Sequence, residues 1–599
     1  MRKTGFFSIL IASLLISGCS KNKDKPAEDS TPSPEPTPAN YIDKDVNIYR
    51  KEGEVDKQMS LRFYNDLPNV PYVSPTAYIK EFFNTEIEGK KDGHSFKYEK
   101  AEGTYISFNT KDGLLFAKHL HSFDSHPDSI QSSSTIFLQY DGSVQTSESE
   151  KVISLKKYSI NLYEDENNAY VPFTLLSKLM GGSQLYQVSY NEKDIYVLDF
   201  QGMLGNATRA ATFSEYFSVL DDASTTRPED LAEYTYNELC FVFDNLRGYT
   251  SQLIFGDNNL LTLGLNGILE LYYPKVKEFI LSTDRLNYYE GLAAVFDGLY
   301  DGGHTTIVER PSVYTSAKGR QDDEQFRSLS VTALNEQLRK VLKRSGVNNS
   351  KSSKLSISDS NYYYFDIDTK TAYVGFGSFD VDYSGWDDYY NNNGEIPVST
   401  DTYAFVRSKL YQALDDEAEN VVLDLAYNGG GSSYALEGIV GLLNEGKAEF
   451  NYNNTFNNYR VTDKHSVDIN LDGEYNEADK VEADKFKALN IGILTSEYSF
   501  SCGNLLPSVL KGLGYKIIGE KSGGGSCAIA LATTADGLVY AHSTYICLSD
   551  QAGNNIDAGV PVDFEIEPTK IENPYYTTYK YDDFYNFTLV SDYLSTAYN

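Results

Sequence analysis

From Asn361 onward, short apolar runs that read as strands alternate with amphipathic runs that read as helices, and this alternation limits the fold more than any other feature. "TAYVGFGSF" (371–379), "NVVLDL" (420–425), "NIGILT" (490–495) and "YKIIGE" (515–520) are strand-like. "YAFVRSKLYQAL" places Tyr403, Val406, Leu410, Ala413 and Leu414 on one helical face. Such alternation predicts α/β layers with a partly parallel sheet. Reactive groups in that architecture gather at the carboxyl ends of strands. Two turns stand at such ends: "NGGG" (428–431), and "EYSFSCGN" (497–504), which leads into a helix over 505–513.

Glycines at 429–431 let backbone N–H groups face inward with no side chain in the way. Ser501 stands just before a helix N-terminus, where N–H groups and the helix dipole favour negative charge. A serine nucleophile needs that setting, because its attack creates an oxyanion that requires fixed donors. An ordinary N-cap serine would occupy the same position, and the residues alone leave both readings open.

The other end of the chain is an export signal in form. Arg2 and Lys3 precede an apolar stretch from Gly5 to Ile16 that closes in "LISGC". This predicts a signal peptide over 1–18 and a lipid-modified Cys19, since the run is shorter than the ~20 residues needed to span a bilayer. Residues 19–40, rich in Pro, Ser, Thr and charge, read as a solvated tether. The protein is therefore expected on the bacterial cell envelope, held to a membrane by lipid. A net charge of −33 repels phosphate backbones and excludes nucleic acid as a partner. Five cysteines in 599 residues are too few for a disulfide framework, though a Cys502–Cys527 pairing stays open.

Residues 41–205 read as tandem small α+β accessory units, because "VPYVSPTAYIKEFF" (70–83) and "AYVPFTLLSKLM" (169–180) share an extended segment, a break and a helix. Residues 206–360 are helical in pattern, with one helix near 331–344, and 361–599 form the α/β core. Within that core, 450–485 reads as an insertion carrying "DINLDGEYNEAD" (468–479). Asp468, Asn470 and Asp472 fall at loop positions 1, 3 and 5, with Gly473 at the sharp turn. The Glu474 carbonyl and the Asp479 carboxylate complete the set. This spacing of oxygens suits Ca²⁺ and resembles the loops of dockerin modules and EF-hands, so a structural calcium ion is expected, with no cofactor for catalysis.

"VVLDLAYNGGG", "ILTSEYSFSCGN", "KIIGEKSGGG" and "DAGVPVD", in this order and after an upstream "DGGHT", resemble the tail-specific (C-terminal-processing) and tricorn-core serine peptidases. The resemblance covers roughly 290–568. It implies an α/β core of the ClpP/crotonase kind, a mixed sheet with helices, and hydrolysis of peptides or proteins by a serine nucleophile. Carried over, it makes Ser501 the nucleophile and the N–H groups of Cys502 and Gly430 the oxyanion hole. The processing branch uses a lysine base, but "GEKSGGGS" has glycine in its place. The tricorn-like branch uses a histidine, matched here by His304, with Asp557 as the nearest acidic partner. Gly303 and Ala426 also depart from the family pattern. The alternative implied by these departures is an inactive relative that binds peptide or glycan in the same cleft.

Overall fold

The strand-like runs of the C-terminal half assemble into one six-stranded sheet in a computed structural model of the chain. The strand order is Tyr362–Asp366, Thr371–Gly375, Asn420–Asp424, Asn490–Thr495, Lys516–Gly519 and Phe564–Glu565. The first pair is antiparallel and every later pair is parallel. The structure describes residues 40–598 other than 52, 84, 121–135, 147, 182–185, 200–215, 217–225, 249–250, 309–311 and 321–322. The signal peptide, Cys19 and the tether up to residue 39 lie outside the described residues.

Buried residues of the central strands alternate between two cores, as a period of two requires. Val421, Leu423, Ile491 and Ile493 pack with Leu410, Leu436 and Leu505 of the helices on one face. Val422, Leu494 and Ile518 pack on the other face with Val347, Val590 and Leu594. Covered on both sides, the strands read as continuous apolar runs. Leu423 pairs with Ile493 and Asp424 with Leu494, so the carboxyl ends of the two strands lie level. Both candidate turns therefore leave the sheet side by side.

A second sheet runs Thr306–Ile307, Val539–Ser549, Lys447–Asn454, Tyr459–Val467, Leu138–Gln145, with Cys527–Thr533 also paired to Val539–Ser549. It draws strands from all three parts of the chain, so it crosses the boundaries expected near residues 205 and 360. In the N-terminal part, the two look-alike segments pair with each other, Val73 opposite Val171 and Tyr72 opposite Pro172. Each leads into a helix, Pro75–Phe83 and Phe173–Met180, and Tyr78 meets Phe173 with ring centroids 5.5 Å apart. The helical middle includes Glu324–Leu355, 32 residues long and far longer than the helix expected near 331–344. Its buried positions include Lys343, Ser350 and Lys351, which gives its inner face little apolar periodicity. No described helix is long and apolar enough to cross a membrane.

Candidate active site

Ser501 occupies a strained turn. Its φ is 55° and its ψ −121°, a region that non-glycine residues adopt only when their surroundings force it. It immediately precedes the helix Cys502–Gly512, yet its side chain makes no capping hydrogen bond. The backbone is fixed instead: Ser501 N–H donates to the Gly524 carbonyl at 3.0 Å, and its own carbonyl accepts from Asn504 and Leu505 at 2.9 Å. The hydroxyl is thus held at the start of a helix dipole without being used as a cap.

The glycine turn is interlocked with this one. Phe500 N–H donates to the Asn428 carbonyl at 3.2 Å, and Ser499 Oγ to the Leu425 carbonyl at 2.7 Å. A Cβ on Gly430, whose φ is +112°, would stand 2.6 Å from Ser501 Cβ and 3.1 Å from its Oγ. Only glycine permits that approach. The Gly430 N–H itself, expected in the oxyanion hole, donates to Asn428 Oδ1 at 2.8 Å. Gly431 is oriented differently. Phe379 bonds to Gly430 O and Ser432 N on either side of it, so Gly431 turns its polar groups away from Phe379. Its carbonyl accepts from Cys502 Sγ at 3.1 Å. The inward-facing glycine beside the Cys502 helix start is therefore Gly431, while Gly430 supplies the space. The distinction between the two glycines depends on the bridge to Phe379, a partner distant in sequence.

His304 is presented by a self-closed turn. Asp301 accepts from Thr305 N–H at 2.8 Å, Thr305 Oγ1 at 2.6 Å and Ser543 Oγ at 2.7 Å. The "DGGHT" motif folds locally for this reason. The His304 ring lies 4.8 Å from the ring of Phe500, edge to face, next in chain to Ser501. The residue is 5% exposed, and its Nδ1 is buried without a hydrogen-bond partner. Burial lowers its pKa, opposed by the charges of Asp301 and Asp557 and by a backbone hydrogen bond at Cys527. Among the described residues no hydrogen bond joins His304 to Ser501.

Asp557 is engaged elsewhere. It accepts from Ser251 N–H at 2.5 Å and Oγ at 2.9 Å, and from Ser526 N–H at 2.9 Å. It reaches His304 through its charge. The turn "KSGGGS" explains what became of a lysine there: a Cβ on Gly525 would stand 2.5 Å from the Phe500 ring. Phe500 fills that space. Over the same ring lies a cation that sequence reasoning missed, Lys340, with Nζ 4.5 Å from the ring centroid. Lys340 donates to Gln252 Oε1 at 3.0 Å and to the Gly302 carbonyl at 3.1 Å. Burial brings its pKa down to about 8. It lines a cavity of about 680 Å³ together with Ser251, Gln252, Tyr300, Arg339 and Lys521.

Residues 370–566 match the description "Peptidase family S41". This part of the chain belongs to peptidase family S41. The S41 match includes Ser501, the glycine turn and Asp557, and ends short of His304 on the upstream side. Among solved structures, photosystem II D1 C-terminal processing protease is similar at 18% identity over 33% of this chain and 42% of its own, with a TM-score of 0.24. A lipoprotein from Streptococcus agalactiae is 15% identical over 56% of this chain and 92% of its own, TM-score 0.30. The tricorn protease is 17% identical over 46% of this chain and 20% of its own, TM-score 0.21. The chain thus spans less than half the length of the processing protease. A comparison with curated proteins finds no match.

Other basic side chains of the matched region are engaged with other partners. Lys511 Nζ donates to the Pro561 carbonyl at 2.7 Å and to Asp563 at 2.8 Å. His542 is buried among Phe243 and Tyr540, with a pKa lowered to about 4 by burial. The Cys502 thiol is pushed up to about 12 by burial, which disfavours the reactive thiolate.

The 468–479 loop is closed by its own backbone. Asp468 accepts from Asp472 N–H at 3.2 Å, Gly473 N–H at 2.7 Å and the Tyr390 hydroxyl at 2.9 Å. Asp472 Oδ1 accepts from Glu474 N–H at 2.8 Å, and Asn470 Oδ1 from Asp472 N–H at 3.1 Å. Asp479 accepts from Ile469 N–H at 2.7 Å and joins Asn476 in a capping box at the helix Glu477–Asp484. Gly473 has φ +83° and Leu471 φ +64°, the left-handed turns of a tight loop. Among the described residues no group of three or more His, Cys, Asp or Glu is gathered to hold a metal ion.

Proposed function

We propose that this protein is a serine endopeptidase of the cell envelope that cleaves peptides or proteins through Ser501, on a core of the ClpP/crotonase kind. Ser501 Oγ attacks the scissile carbonyl carbon and gives its proton to His304. The resulting oxyanion takes hydrogen bonds from the N–H groups of Cys502 and Gly431, with Gly430 leaving room for it. Collapse of the tetrahedral species expels the amine, which receives the proton from His304, and water then releases the acyl group. Asp557 favours the imidazolium by its charge. Contact between His304 and Ser501 closes when substrate is bound, since catalytic hydrogen bonds commonly tighten only in the Michaelis complex. The observation that carries the reading is the strained Ser501, whose side chain leaves no room for a Cβ at Gly430 and whose hydroxyl is left out of helix capping. In the same reading Cys19 carries lipid and tethers the body to a membrane.

The test is labelling by a fluorophosphonate. Wild-type protein is expected to label at Ser501, and Ser501→Ala to lose all labelling together with peptide hydrolysis. A second reading, an inactive protein that binds peptide or glycan in the cleft, is favoured by the missing His304–Ser501 hydrogen bond. It predicts saturable binding by wild type and Ser501→Ala alike, with labelling by neither.

For the 468–479 loop we propose Ca²⁺ as a structural ligand. Asp468, Asn470, Asp472, the Glu474 carbonyl and Asp479 would supply the oxygens. Titration of the whole protein with Ca²⁺ after chelation is expected to release or absorb heat with one ion bound, and Asp472→Ala to abolish it.

A further inference from the structure

The hairpin beside His304 carries a pair of sulfurs that the hydrolytic reading does not use. Cys527 and Cys547 are direct partners where Cys527–Thr533 pairs with Val539–Ser549. Their Sγ atoms are 3.2 Å apart and each residue is 2% exposed. Directly opposed residues of an antiparallel pair have Cα atoms roughly 4.5–5.5 Å apart. That separation falls inside the window of about 4.4–6.8 Å that a disulfide spans. Nothing stands between the sulfurs, and Gly248 is packed so closely over them that a Cβ there would come within 2.5 Å of both. The hydrogen bond to Cys547 and burial hold the Cys527 thiol well above its ordinary pKa. The pairing left open for Cys502 and Cys527 is not the one built: Cys502 Sγ is turned to the Gly431 carbonyl.

We propose that Cys527 and Cys547 are a redox pair that closes into a cross-strand disulfide beside the candidate base. The oxidant is a disulfide, small or protein-borne. One cysteine, as thiolate, attacks a sulfur of the external disulfide, forms a mixed disulfide and expels one thiolate. The second cysteine attacks the mixed disulfide and expels the other. The two cysteines lose two protons and two electrons, and the external disulfide becomes two thiols. Because the pair is buried, exchange takes place while the hairpin forms or opens. Cys527 follows Ser526, which bonds Asp557 at 2.9 Å, and the Gly524 carbonyl of the same turn accepts from Ser501 N–H at 3.0 Å. A link from Cys527 to the 539–549 strand therefore stiffens the turn that joins serine and histidine sides. This positioning role rests on the hydrolytic reading; the disulfide does not.

The whole protein, refolded in mixtures of oxidised and reduced glutathione, is denatured, alkylated and mapped by peptide mass. The peptides holding Cys527 and Cys547 are expected joined at oxidising ratios, with Cys240 and Cys502 alkylated, and Cys547→Ser is expected to abolish the link. Recovery of Cys527 and Cys547 both alkylated at every ratio overturns the proposal, as does a link through Cys240 or Cys502. Fluorophosphonate labelling of Ser501 is expected to be several-fold faster in the oxidised protein. Equal rates overturn the positioning role. Absence of labelling in both states strikes the peptidase reading and leaves the mapped disulfide standing.

Discussion

The serine side and the histidine side of the site are built in different ways. The serine side comes from adjacent, level strand ends; its two turns are locked together by Phe500 N–H on the Asn428 carbonyl and Ser499 Oγ on the Leu425 carbonyl, and Ser501 N–H is tied to the Gly524 carbonyl of a third turn. The histidine side is brought from far upstream on a turn closed by Asp301, but its ring rests on Phe500, its Nδ1 is unbonded, and its acidic neighbour serves Ser251 and Ser526. In the proposed reaction, charge stabilisation would be preassembled, whereas proton transfer would depend on a movement. Preorganised donors act without reorganisation at the moment of reaction, so the first half retains value even when the second is imperfect.

The comparison breaks most visibly at His304. His304→Ala is expected to lower the rate of Ser501 labelling by ~10²–10⁴-fold, the range typical of a general base. The wild-type rate is expected to rise with pH, because the neutral imidazole is the active form. Burial depresses the His304 pKa, so the midpoint falls below the ordinary histidine value of about 6.5. An undiminished rate in His304→Ala would assign the base elsewhere, and Lys340, with Nζ 4.5 Å from the Phe500 ring centroid, would be next.

Gly430→Ala attacks the serine side. The new methyl meets Ser501, and φ +112° is strained for any L side chain. A loss of ~10²–10³-fold in kcat is expected, comparable to removing one oxyanion donor. Unfolding midpoints measured in parallel separate this loss from global destabilisation. Acid tests the histidine side through its hairpin. His542, buried in the Val539–Ser549 strand, has a folded pKa of about 4. The unfolded chain takes up a proton near 6.5 and the folded one only near 4, so this contribution to stability is whole above about 6.5 and is lost as pH falls toward 4. The loss is on the order of 3 kcal/mol, and His542→Phe is expected to flatten it in denaturant titrations at pH 7 and pH 4.5.

Local chemistry made one half of this readable from residues alone. A strand followed by "NGGG" or "SFSCGN" needs only its own neighbours to define a turn, and Asp301 and Thr305 close the "DGGHT" turn within five residues. The period-two alternation of Val421, Val422 and Leu423 marks a sheet covered on both faces. What escaped depends on partners distant in sequence. Lys340 lies on a helix whose buried positions are partly polar, so no periodicity marked its inner face. Phe500 takes the space beside Gly525 only after two strands are paired. The register that sets Cys527 opposite Cys547 includes a bulge between Cys527 and Ile529, which no alternation of residues displays.

Asp557→Asn gives the smallest effect and discriminates between two roles. Asparagine keeps one acceptor and replaces the other with an N–H₂ donor, so it cannot serve the N–H groups of both Ser251 and Ser526. Leaving one of them unsatisfied costs about 1–3 kcal/mol of stability. If Asp557 held the imidazole directly, as in a hydrogen-bonded triad, the rate would drop by about 10⁴-fold. Here both oxygens are taken, and its influence on His304 is through charge alone. The expected result is therefore a loss of about tenfold or less in labelling, with the midpoint of the rate–pH profile moved further down, since removing a carboxylate removes support for the imidazolium. A drop near the triad value would show that Asp557 leaves Ser251 for His304 when substrate binds, and the histidine side would then be as deliberately assembled as the serine side.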